Sequence, residues 1–133
     1  MSTTGEADLG RLLAGMRPEL QAGTYLFCEL GDGVLPAGLV ALATFREAEG
    51  TTLVVVADEA ERHGIAGTFE AAWITLTVHS DLAAVGFLAA VAGALAGEGI
   101  PCNAIAAFHH DHLFVPVDMA ERAMAVLELL QRR

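Results

Sequence analysis

The sequence predicts an α+β sandwich, with antiparallel strands covered by helices on one face, and three observations lead to it. Trp73-Ile74-Thr75-Leu76-Thr77-Val78 alternates Thr with large apolar residues, the period-two pattern of a sheet whose two faces differ. From there the chain reads strand, helix, strand, strand, helix, which is the element order of a ferredoxin-like half. Leu53, Val55, Asp58, Ala60, Glu61 and Arg62 are matched in type and order by Leu113, Val115, Asp118, Ala120, Glu121 and Arg122. A strand running into a capped helix is therefore repeated in frame.

Each element has its own signal. Leu9, Leu12, Leu13 and Met16 form one apolar helical stripe that Arg17-Pro18 stops. Thr24 to Leu30 reads as a strand, broken by Gly31-Asp32-Gly33 and Leu35-Pro36-Ala37-Gly38. Leu39 to Val56 reads as a hairpin turning at Glu47-Ala48-Glu49-Gly50, followed by a short helix capped by Asp58 and ended near Gly64. The long apolar segment from Leu82 to Gly97 reads as a helix capped by Ser80 or Asp81, its Gly93 and Gly97 permitting close packing. Gly99-Ile100-Pro101 ends it. Cys102 to Phe108 and His112 to Val117 follow as strands around a turn at His109-His110-Asp111. Asp118 then caps a final helix with Met119, Ala123, Val126, Leu127 and Leu130 inward. Two halves result, residues 1–65 and 66–133, and the N-terminal helix is expected to interlock them.

Composition excludes several classes. A chain of 133 residues can bury a core without staples. Its formal charge of −10, with seven Lys and Arg in all, argues against nucleic acid and anionic membranes as partners. As a helix, Leu82 to Gly97 would measure about 24 Å, too short for the roughly 30 Å hydrocarbon core. Cys28 and Cys102 stand far apart in apolar contexts and read as buried free thiols. The start of the chain shows no secretory pattern, so a cytoplasmic location is expected.

The corner around residues 78–105 carries the functional expectation. A strand, a tight turn and a helix start leave backbone N–H groups and the positive helix end free for a carboxylate. Asn103 opens the next strand with both a donor and an acceptor. Thr75 to Val78, His79-Ser80-Asp81-Leu82, Val85-Gly86, Leu95-Ala96, Gly99-Ile100 and Asn103-Ala104-Ile105 together resemble the strand, helix and strand of an ACT domain, the amino-acid-binding regulatory module of aspartokinases. Leu12-Leu13, Met16, Pro18, Gly23, Tyr25, Phe27-Cys28, Phe45 to Leu53 and His110 to Pro116 resemble a small stand-alone bacterial ACT family.

That resemblance implies a ferredoxin-like (ACT) sandwich of two ACT-like halves. It also implies a non-catalytic role in binding an amino acid or related metabolite, without cofactor or metal, in a homodimer. The implied ligand-binding residues are Ser80, Asp81, Leu82, Val85, Gly86, Asn103, Ala104 and Ile105. His110 and Asp111 are added as the rim of such a site at a dimer seam. Two other readings stand beside it: a small metal-dependent enzyme using His109, His110, Asp111 and His112, whose imidazoles and carboxylate suit zinc, and a purely structural dimerisation module. Glu47 and Glu49 read as a solvated hairpin tip, and Ser80 beside His79 lacks the orienting acid of a nucleophilic serine.

Overall fold

A computed structural model describes residues 5–133. In chain order the elements are α1 (Leu9–Gly15), β1 (Pro18–Leu20), β2 (Tyr25–Leu30), β3 (Ala43–Glu47), β4 (Gly50–Val56), α2 (Ala57–Arg62), β5 (Gly67–Leu76), α3 (Phe87–Gly97), β6 (Asn103–Ala106), β7 (Asp111–Pro116) and α4 (Ala120–Gln131). The chain forms two compact units: Ala22–Ala71, and the segment ending at Gln21 together with Ala72–Arg133.

In the Ala22–Ala71 unit, β4 is the central strand of the hairpin. It pairs antiparallel with β3 from Ala43↔Val54 to Glu47↔Gly50, and with β2 from Tyr25↔Val56 to Leu30↔Thr51. The first residues of β5 pair with the other side of β2, at Tyr25↔Ala71 and Cys28↔Gly67, across a bulge. Alternation sends Cys28, Leu53 and Val55 to one face, where Ala60 of α2 completes a small core. Asp58 lies in the first turn of α2 rather than at its cap, a place where its charge still favours the helix N-terminus. Glu47 accepts a hydrogen bond of 2.6 Å from the Thr52 hydroxyl at the hairpin tip.

The second unit holds the larger core. The last residues of β5 pair antiparallel with β1, Pro18↔Leu76 to Leu20↔Ile74. On the other side β7 lies between β5 and β6. The β6–β7 ladder runs from Asn103↔Phe114 to Ala106↔Asp111. Ala72, Ile74, Leu76, Leu113 and Val115 point to the helices and meet Leu12 and Met16, Phe87, Val91 and Leu95 at successive turns of α3, and Ala123 and Leu127 of α4. Met119, Val126 and Leu130 pack against this core from its margin. The fold is the expected ferredoxin-like α+β arrangement.

Other local expectations also differ from the structure. The third helix begins at Phe87, not near Leu82, because Asp81 folds the intervening residues into a turn: its carboxylate accepts the Ala83 N–H at 2.7 Å and its carbonyl accepts the Ala84 N–H at 2.9 Å. Asp118 sits in a short 3₁₀ turn, Val117–Met119, and no side chain caps α4. Gly93 and Gly97 leave open space where a Cβ would stand, so they are not sites of close packing. Pro18, expected only to stop α1, also starts a short strand.

Candidate ligand site

Ten residues connect Leu76 to α3, and their conformation is set by contacts within their own unit. Glu6 forms a parallel bridge with Ser80: its N–H donates to the His79 carbonyl at 2.8 Å, and its carbonyl accepts the Asp81 N–H at 2.9 Å. Gly5 makes this approach possible, since a Cβ there would lie 2.6 Å from the His79 carbonyl oxygen. Gly86 closes the connection at φ 92°, a left-handed backbone that suits glycine, and α3 starts immediately after it without a side-chain cap.

Beneath this connection lies a cavity of about 140 Å³. Ser80, Asp81, Leu82 and Ala84 line it from the connection, Phe87 and Leu88 from the first turn of α3, and Ala106, Ala107 and Asp111 from the β6–β7 hairpin. It is smaller than the roughly 300–1,000 Å³ of clefts that hold drug-sized ligands, which limits it to a small metabolite. Asp111 shares the helix-facing side of β7 with Leu113 and Val115 and is only 7% exposed. Burial pushes its carboxyl up from the ordinary aspartate range; His112, a hydrogen bond from the Ser80 hydroxyl, and His110 partly oppose that.

Four of the residues expected at the site line the cavity: Ser80, Asp81, Leu82 and Asp111. Val85, 83% exposed, and Gly86 precede the helix outside the lining. The expected facing of Asn103 onto the turn is not found. Asn103 pairs with Phe114 and Ile105 with His112, which puts both side chains on the sheet face opposite the helices. Ala104 shares the helix-facing side with Leu113, but Ala106, two residues on, is the one that reaches the cavity. His110 stays in the turn outside the lining.

Of the amides expected free past Val78, those of Asp81, Ala83 and Ala84 are occupied by the bonds above. The first turn of α3, which no side chain caps, adds further backbone donors. Phe87, Leu88, Ala106 and Ala107 were not anticipated from the sequence. The pairing of Ala106 with Asp111 is the signal that would have found the last two, had the turn been placed at 107–110.

The histidine-rich run divides among different surroundings. His109 Nδ1 lies 3.3 Å from His79 Nε2, Asp111 turns into the cavity, and His112 Nδ1 accepts the Trp73 Nε1–H at 3.0 Å on the far side of the sheet. Among the described residues, no three His, Cys, Asp or Glu side chains are grouped to hold a metal ion.

Residues 4–72 match a family model described as ACT domain, and residues 68–128 match a second ACT domain model. The chain belongs to the ACT domain family. No curated protein matches it. The crystal structure of a Vibrio cholerae protein of unknown function, described as a possible transport protein, is similar to this ACT protein at 44% identity and a TM-score of 0.83, covering 92% of this chain and 95% of that one. The regulatory subunit of aspartate kinase from Thermus flavus shares the fold at 12% identity and a TM-score of 0.64, over 85% and 95% of the two chains. Escherichia coli aspartokinase III, in complex with aspartate and ADP, does so at 14% identity and a TM-score of 0.63, over 87% of this chain and 33% of that one. Among the described residues of this ACT protein, no helix is long and apolar enough to cross a membrane.

Proposed function

We propose that this ACT protein is a non-catalytic regulatory module of the cytoplasm that binds a small amino acid or a related metabolite, and that it works as a homodimer. The cavity between the Ser80–Ala84 connection, the first turn of α3 and Asp111 carries the reading, because it combines metabolite size with unlike polar groups at its walls. The uncapped turn of α3 suits a carboxylate, while Ser80, Asp81 and Asp111 suit an amine. Likeness in fold to a regulatory subunit of aspartate kinase, and to an aspartokinase that holds aspartate, supports an amino acid as the ligand class. A ligand regulates only by binding one arrangement of the protein better than another.

The test is a thermal-shift screen of the amino acids against wild type and Ala106→Leu, which fills the cavity without changing charge. A ligand at about 100 times its dissociation constant stabilises the wild type by roughly 2.7 kcal/mol. The expected result is a shift for one or a few amino acids that Ala106→Leu abolishes. Silence across the panel, or an undiminished shift in Ala106→Leu, overturns the reading.

A further inference from the structure

We infer that Asp111 is the charge selector of the cavity: it receives a cationic nitrogen of the ligand and excludes molecules that carry only acidic groups. The inference rests on the proposed ligand reading of the cavity and adds the chemistry that decides what may enter.

Among the described residues, the cavity wall is acidic and apolar and holds no basic side chain. Two carboxylates, Asp81 and Asp111, line the space with the Ser80 hydroxyl, and the remaining lining is Leu, Phe and Ala. Asp111 is the buried one. The ion pairs Arg11–Glu6, Arg62–Glu59 and His63–Glu59 do not reach it. A buried carboxylate without a cationic partner is expensive to keep ionised, and a ligand that brings a cation removes that cost.

The geometry separates the two ends of a zwitterion. Asp111 lines the cavity from the β6–β7 hairpin and the uncapped first turn of α3 lines it through Phe87 and Leu88, so an amino acid that places its ammonium on the first has a helix start for its carboxylate in the second. A 2-hydroxy acid of the same shape would set a neutral hydroxyl against Asp111, and a dicarboxylate would set like charge against it. The groups that face Asp111 are Ser80 and Asp81 from the connection, Phe87 and Leu88 from α3, Ala106 across the ladder, and His110 and His112 beside it in sequence, with His112 turned to Trp73. Ligand affinity therefore rises with pH as the Asp111 carboxyl loses its proton, since burial has raised that transition and a bound cation lowers it again.

Calorimetric titration of the full chain tests this with matched compounds: amino acids, their 2-hydroxy-acid counterparts and the corresponding decarboxylated amines, on wild type, Asp111→Asn and Ala106→Leu. Wild type is expected to bind amino acids and, more weakly, amines, with 2-hydroxy acids at least tenfold weaker than the matching amino acids. Asp111→Asn should lose at least tenfold in amino-acid affinity. The wild-type pH profile is an independent readout and should show affinity falling on acidification. Equal binding of 2-hydroxy acids and amino acids, full affinity in Asp111→Asn, or a flat pH profile overturns the selector while leaving the ligand site standing. Absence of any amino-acid binding, or binding unaffected by Ala106→Leu, removes both together.

Discussion

Trp73 and His112 are joined by a hydrogen bond in which the indole Nε1–H donates to the imidazole Nδ1 at 3.0 Å, with the ring centroids 5.6 Å apart. The bond requires a lone pair on Nδ1 and so places the proton of the neutral ring on Nε2. Thr75 Oγ1 lies 3.2 Å from the same nitrogen and accepts in turn from Gln21 Nε2, which also reaches Glu19. Protonated His112 would present a donor to a donor.

Acidification should therefore change the emission of Trp73, the one tryptophan of the chain. Burial, and then His110, hold the His112 pKa below the ordinary histidine range, against the pull of Asp111. In the window between the two values the unfolded chain binds more protons than the native one. The His112 contribution is thus complete above the ordinary histidine pKa and declines as pH falls through that window. A fluorescence titration should show a flat signal above it and a change below it, with the change absent in His112→Gln.

Asp111→Asn should stabilise the unliganded protein at neutral pH. Here the native carboxyl is the one with the raised pKa, so its linkage contribution is full at acid pH, below the unfolded value, and is lost as pH rises through the native one. An amide of the same shape can still accept the Ser80 hydroxyl and carries no charge to desolvate. The melting temperature of the variant should exceed that of wild type at pH 7, and the gap should close in acid.

Leu127→Ala should cost about 2–5 kcal/mol, because Leu127 is fully buried against the helix-facing side of the sheet and its removal leaves a cavity. Leu129→Ala, two residues on in α4 and 49% exposed, should fall within about 0.5 kcal/mol of wild type. Urea midpoints at constant slope measure both.

Gly86→Ala should destabilise by about 1–2 kcal/mol through the left-handed backbone alone. Gly5→Ala acts differently: its Cβ would meet the His79 carbonyl, which is main chain and must shift. The Glu6 bridge should loosen, and hydrogen exchange at the Asp81 amide should accelerate while the amides of β7 keep their protection.

Much of this molecule is legible where patterns are periodic or punctuated. The β3–β4 hairpin turns at Glu47–Gly50 as its charged and glycine residues announce, and the Thr alternation of β5 places Ile74 and Leu76 inward. The ACT relationship was readable from scattered short segments, and the matched family models show it. What escaped was parity and non-local contact. Asn103-Ala104-Ile105-Ala106 shows no alternation, so either face suits it; only the closing turn, where the Ala107 N–H meets the His110 carbonyl at 3.0 Å, decides which residues look inward. The Glu6–Ser80 bridge spans most of the chain with a single pair and leaves no periodic trace.

Leu12 and Met16 belong to the same core as Leu127, and Gln131 donates to the Ala14 carbonyl at 3.1 Å. During synthesis, then, the first helix leaves the ribosome well before α4, and its apolar stripe stays uncovered until Leu127 and Gln131 have emerged. A product stalled before α4 would display that stripe to chaperones and proteases.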